Sequence, residues 1–345
     1  MMPTVGESSN ALRSRFVALF PAAAAIAYPF LLGAFHRVVS SPDLTLSIFH
    51  FAAAALLLAL AFAMPLSGLA IAFWLTASLE FSQSTLHARR LAYASIAAPS
   101  LFVFVGVLRG LLGLRMPEGA LWIGLWTVAA LYGQSGRGAL TSRPAMPPPR
   151  AWRIAHGISA ALIACFVLFH LANHLFGLLG PDTHAAIMKA GRRAYRNAVI
   201  EPLLVVLLLF QVASGVRLAW VWSGLRSDAY RIFQVGSGAY LAAYIVAHMN
   251  SALISARAVR KIDTDWSWAS GAPVGLIHDA WDIRLLPHYA LGVFFIVGHL
   301  SSGLRVVMLA HGVRTAVANR LWAVGMTAGV VISTAIVCAL CGIRV

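Results

Sequence analysis

Three histidines stand where water does not reach. His170, His248 and His299 each fall inside a long uncharged stretch of a chain in which only 11% of residues are charged. An ionisable side chain at that depth is costly and marks a functional site by default. The chemistry that suits paired neutral imidazoles in an apolar setting is axial ligation of a haem iron. It requires two rings at one depth on helices that face each other. His170 lies nineteen residues beyond Ala151, about where the fifth helix begins, and His248 lies sixteen beyond Ile232, about where the seventh begins. At about 1.5 Å per residue the two sit roughly 24–28 Å along helices that run in the same direction, because one helix separates them. His299, on the eighth run, lies nearer mid-membrane, and Gln211 holds the comparable depth on the sixth. His156 precedes His170 by fourteen residues on nearly the same helical face, a spacing that suits either a second haem or a hydrogen bond near the membrane surface. The competing role for any of these groups is a hydrogen bond to a neighbouring helix. His174, His288 and His311 fall near the ends of runs and are expected at the membrane interface.

The elements that must position these residues are transmembrane helices. The chain has 345 residues, 60% of them apolar, and a mean hydropathy of +0.81. A soluble chain carries about a quarter charged residues, so an ordinary soluble enzyme is excluded. The balance of 26 basic to 11 acidic residues invites a nucleic-acid reading. The basic residues fall singly or in pairs between uncharged runs, however, as loop residues of a multi-pass membrane protein do, and no nucleic-acid partner is expected. A span needs about 20 apolar residues. Runs near 16–36, 44–79, 91–108, 119–136, 154–181, 202–216, 232–256, 285–304 and 321–343 predict nine helices in an all-α transmembrane bundle, with a tenth crossing open if the second run breaks at Pro65 and Gly68. The first run, after Arg13 and Arg15, reads as a retained span rather than a cleaved signal peptide. Fourteen of the 26 basic residues would lie inside if the N-terminus does, which barely orients the chain.

A Gly/Ser/Pro/Arg loop over 137–150 divides the chain into a four-span module at 1–136 and a five-span bundle at 151–345. Cys165, Cys338 and Cys341 lie within apolar runs and read as small hydrophobes. The Asp263–Trp268 stretch, followed by Asp279, Trp281 and Asp282, combines acids with tryptophans between the seventh and eighth runs and is expected at the headgroup level, the alternative being a gate over a quinone or solute site.

Over 151–345 the sequence resembles the five-helix cytochrome b membrane anchor of succinate dehydrogenase and fumarate reductase, the succinate:quinone oxidoreductases. The resemblance is carried by His156-Gly157 with Phe166-Val-Leu-Phe-His170-Leu-Ala-Asn173, and by Glu201 with Leu209-Phe-Gln211-Val-Ala-Ser-Gly215. It continues in Gln234-Val-Gly-Ser-Gly238 with His248, and in His299-Leu-Ser-Ser-Gly303-Leu. It implies a multi-pass subunit of a bacterial inner (plasma) membrane that relays electrons between flavoprotein and iron–sulfur partners and the quinone pool. His170 and His248 fall where the family ligates the haem nearer the outer face. The second pair would be Gln211 and His299, and glutamine in place of histidine implies one haem b rather than two. Arg192, Arg193 and Arg196 would pair with haem propionates or remain loop charges against lipid headgroups. The resemblance does not reach the first four spans. The chain has neither a dinucleotide-binding glycine motif after a strand nor a cysteine set for an iron–sulfur cluster, so it would not be catalytic alone. The alternative function is a haem-free membrane scaffold, accessory subunit or transporter on the same bundle.

Overall fold

The computed structural model describes residues 5–41, 47–77, 82–135 and 146–345, with side chains from residue 19 onward. Every element among them is helical. In chain order the α-helices are α1 (Val5–Val39), α2 (Ile48–Ala77), α3 (Gln83–Ile96), α4 (Ala98–Leu111), α5 (Glu118–Gln134) and α6 (Arg150–Leu175). There follow α7 (Pro181–Tyr195), α8 (Ile200–Ser223), α9 (Ala229–Met249), α10 (Trp266–Ser270), α11 (Leu285–Ala310) and α12 (Thr315–Leu340). A π-helical segment, Asn250–Arg260, continues α9, and short 3-10 turns follow α6 and precede α11. Residues 136–145, most of the proline-rich connection, lie outside the described residues.

Among the described residues seven helices are long and apolar enough to cross a membrane, and an eighth crossing is added if α3 and α4 are counted as one bent span. The expected third span is therefore not a straight helix. α3 and α4 meet at 66° around Ala97, because Pro99 in the first turn of α4 has no N–H for the preceding turn and disfavours helical backbone before it. The expected fourth span, α5, has 17 residues. That corresponds to about 25 Å of helix, against a hydrocarbon core of about 30 Å. The second run behaves the opposite way, with α2 continuous through Pro65. Gly68 is not a break but a contact point: a Cβ there would collide with the Ala92 carbonyl and the Ser95 hydroxyl of α3.

The two halves share their core. α3 and α4 pack on α9, α2 also reaches α9, and α4 reaches α11. Ala72, Ala92 and Ile96 are buried together with Phe233, Tyr240 and Phe295, while Val103 and Val107 of α4 join Leu285, Val293 and Ile336. Polar ties lock the same interface. Arg89 of α3, 1% exposed, donates to Thr76 Oγ1 at 3.1 Å and to the Leu225 carbonyl at 2.8 Å. A cation there neutralises the negative end of α8. At the opposite end of the bundle Arg284 is paired with Glu118 of α5. The outward side of α8, by contrast, leaves Leu203, Val206, Leu209 and Val216 exposed, as a lipid-facing helix does.

At the C-terminal end of α7, Arg193 is exposed, whereas Arg192 and Arg196 are paired with Asp263. Arg192 is committed to Asp263 at 3.0 Å and to the Thr264 carbonyl at 2.8 Å, so α7 is clamped onto the segment after the π-helix. In that segment Asp265 caps α10 by accepting from the Trp268 amide at 2.9 Å. Trp266 is buried at 5% exposure, its ring packed over Gly177, where a Cβ would overlap it.

Candidate functional site

The site is built where α6 and α9 end at the same side of the bundle. His170 and His248 face each other with ring centroids 6.1 Å apart and planes inclined by 73°. Each ring is held by a neighbour one helical turn away, since residues four apart share a helical face. Phe166 stacks on His170 at 5.5 Å, and Tyr244 lies parallel to His248 at 5.7 Å. Neither imidazole has a hydrogen-bond partner among the described residues, although both are part-buried in a span.

His170 and His248 are the residues that would hold a haem iron, which would supply a one-electron couple that no side chain offers. Both rings keep their nitrogens free of hydrogen bonds among the described residues, so either can act as a ligand without breaking a protein contact.

Gln211, His156 and His299 are placed differently. His156 Nδ1 lies 2.8 Å from Ser214 Oγ, and that hydroxyl donates to the Phe210 carbonyl at 2.7 Å. With the hydroxyl proton on that carbonyl, Nδ1 donates to the Ser214 oxygen and Nε2 accepts a proton. Gln211 Nε2 supplies that proton at 3.0 Å, and Gln211 Oε1 accepts from Ser159 at 2.5 Å. The network closes with every group satisfied. His156 and Gln211 are thus hydrogen-bonding partners that join α6 to α8, and Gln211 is not disposed as a ligand.

His299 shares half of this pattern: its Nδ1 lies 3.0 Å from Ser237 Oγ, which donates to the Gln234 carbonyl at 3.1 Å. Nε2 has no hydrogen-bond partner among the described residues. Gly238 lies so close that a Cβ would sit 3.2 Å from the His299 ring.

Sequence reasoning missed His288 by placing it at the interface. It is 1% exposed, with Nδ1 3.1 Å from Ser100 Oγ of α4 and its carbonyl accepting from the Tyr240 hydroxyl at 2.8 Å. The Tyr244 ring packs on it at 4.6 Å. Ser100, His288, Tyr244 and His248 therefore form a continuous buried series from the N-terminal half to the facing imidazoles. His174 was also misplaced. It lies 4.7 Å from His170 and 5.3 Å from His184, both centroid to centroid, with its Nδ1 buried and unpaired in the described structure. His311 alone of the three is exposed.

His184, on α7 and outside the spans, is 2% exposed and lies 3.0 Å from the Asn173 side chain. Burial, reinforced by the Arg192 cation and opposed by Asp265, pushes its imidazole down to about 4. A depressed histidine stabilises the fold above its unfolded value of about 6.5, and that stability is lost as pH falls toward the folded value. The melting temperature of the wild type is expected to fall between pH 6.5 and 4. A His184→Gln variant should show a shallower decline over that window, and parallel curves would exclude His184 as the titrating group.

The chain matches no protein-family model, no curated protein and no solved structure.

Proposed function

We propose that this protein is a b-type cytochrome of the membrane, an electron-relay and anchor subunit similar to that of succinate dehydrogenase and fumarate reductase. Its partners are then a flavoprotein and iron–sulfur pair and the quinone pool, in a bacterial inner membrane. The observation that carries the proposal is the His170–His248 pair: two rings 6.1 Å apart, on separate spans, with no other bonding role in the described structure. In this reading α5 and the bent α3–α4 pair complete nine crossings, in a four-plus-five arrangement.

Haem, when bound, supplies a one-electron couple that the side chains themselves lack. His170 and His248 hold it. Phe166 and Tyr244 fix the ring planes, so little conformational freedom is lost on ligation. The surrounding spans exclude water and set a low dielectric, which tunes the potential. Ser100 and His288 set the packing behind Tyr244. His156 and Gln211, mutually satisfied, leave His299 without an imidazole partner, which supports one haem rather than two.

A reduced-minus-oxidised spectrum of the purified protein tests the reading directly. A b-type α band at about one haem per chain is expected, and His299→Ala should retain it. A colourless preparation at full expression would remove the proposal and favour a haem-free scaffold or transporter. Loss of half the haem in His299→Ala would instead establish a second site.

A further inference from the structure

A groove of about 760 Å³ opens on the side of the molecule between α8 and the π-helical segment. Its origin is local. In a π-helix, residues four and five apart share a face, so Leu253, Arg257 and Ala258 form one wall, opposite Pro202, Val205 and Val206 of α8. The floor is apolar and the mouth is charged: Arg196, Glu201 and Arg257 line it.

At that mouth three guanidinium groups, those of Arg192, Arg196 and Arg257, face two carboxylates. Arg257 is paired with Glu201, while Arg192 and Arg196 share Asp263 at 3.0 and 3.8 Å. The excess is positive, and Arg193 adds an exposed cation on the same helix. The groove begins at the N-terminal border of a span and runs down its lipid-facing side, with Pro202 and Val206 exposed.

We infer that this groove binds one anionic phospholipid, with its phosphate at Arg196 and Arg257 and an acyl chain along Val205, Val206 and Leu253. A neutral headgroup would leave the excess cation unmatched, whereas an anionic headgroup answers it at the depth where lipid phosphates lie. The assignment is independent of haem ligation.

The test is native mass spectrometry of the whole protein released from dodecyl maltoside, after titration with phosphatidylglycerol or phosphatidylcholine. Phosphatidylglycerol should bind about tenfold more tightly, and Arg196→Gln should weaken it about fivefold, the effect of one basic residue near a lipid surface. Val206→Trp, which fills the groove without changing charge, should remove the tight site. Arg320→Gln, at the opposite end of the bundle, should not. Equal affinity for the two lipids would overturn the inference, and so would binding unaffected by both groove variants. Displacement by millimolar inorganic phosphate would reassign the site to a free anion, and a quinone recovered in place of phospholipid would reassign it to a redox ligand.

Discussion

On the proposed cytochrome function, replacing His170 or His248 with alanine is expected to abolish the b-type α band, with haem content falling at least about 100-fold in either single variant. Loss of an outer-shell partner alone typically weakens a metal site by about 10- to 100-fold, and an axial ligand lies closer than that. The expectation follows from geometry. The two rings are 6.1 Å apart, and neither has a hydrogen-bonding function in the described structure that its removal would disturb. Each alanine variant should therefore fold, and expression with an unchanged gel-filtration profile is the control. His156→Ala provides the contrast. It breaks the bonds to Ser214 and Gln211, so it should lower thermal stability while leaving the α band in place. If His170→Ala and His248→Ala keep full haem content, the pair is not the ligand set.

The second large effect concerns the junction of the two halves. Arg284→Met should destabilise the protein by about 3–5 kcal/mol, the usual cost of leaving one partner of a buried ion pair without its mate. The Arg284 and Glu118 side chains are 8% and 20% exposed. The guanidinium also lies over Phe102 at 4.3 Å and Trp281 at 4.7 Å, so stacking is lost along with charge. Glu118 occupies the first turn of α5, where the helix dipole already favours a carboxylate. Thermal unfolding in one detergent measures the loss. The double variant Glu118→Gln with Arg284→Met should recover part of it, because no charge is then stranded. Additive losses in the double variant would show that the two groups do not interact. Gly106 belongs to the same feature, since a Cβ there would collide with both Arg284 and Glu118, and Gly106→Ala should reproduce part of the effect.

Hydropathy alone made the helical class legible, because backbone that crosses lipid must satisfy its own hydrogen bonds and few sequence patterns allow that. The His170–His248 encounter was legible too, since depth along parallel helices is arithmetic on residue number. What stayed hidden depends on partners far apart in the chain. Ser100 and His288 are 188 residues apart, and Glu118 and Arg284 are 166 apart. No periodicity encodes such pairings. His288 therefore read as interfacial from its place near a span end, although α4 covers it. The two backbone signals were visible but ambiguous. The bend at Ala97 beside Pro99 fell inside a run read as one helix, whereas Pro65 and Gly68, where a break was left open, lie in a continuous α2 in which Gly68 serves a close approach to α3. The π-helical segment left no mark in the sequence, and the groove it opens was not foreseeable.

The shared core of the two halves sets the stoichiometry of the molecule. One face of α9 is covered by α2, α3 and α4 of the same chain, and α4 also reaches α11. Covering supplied in cis does not dissociate on dilution, and it is present at a fixed ratio of one to one whatever the expression level. It also removes one flank of α9 and α11 from any external assembly. Cross-links placed between α9 and α3 or α4 should therefore form within one chain at any dilution.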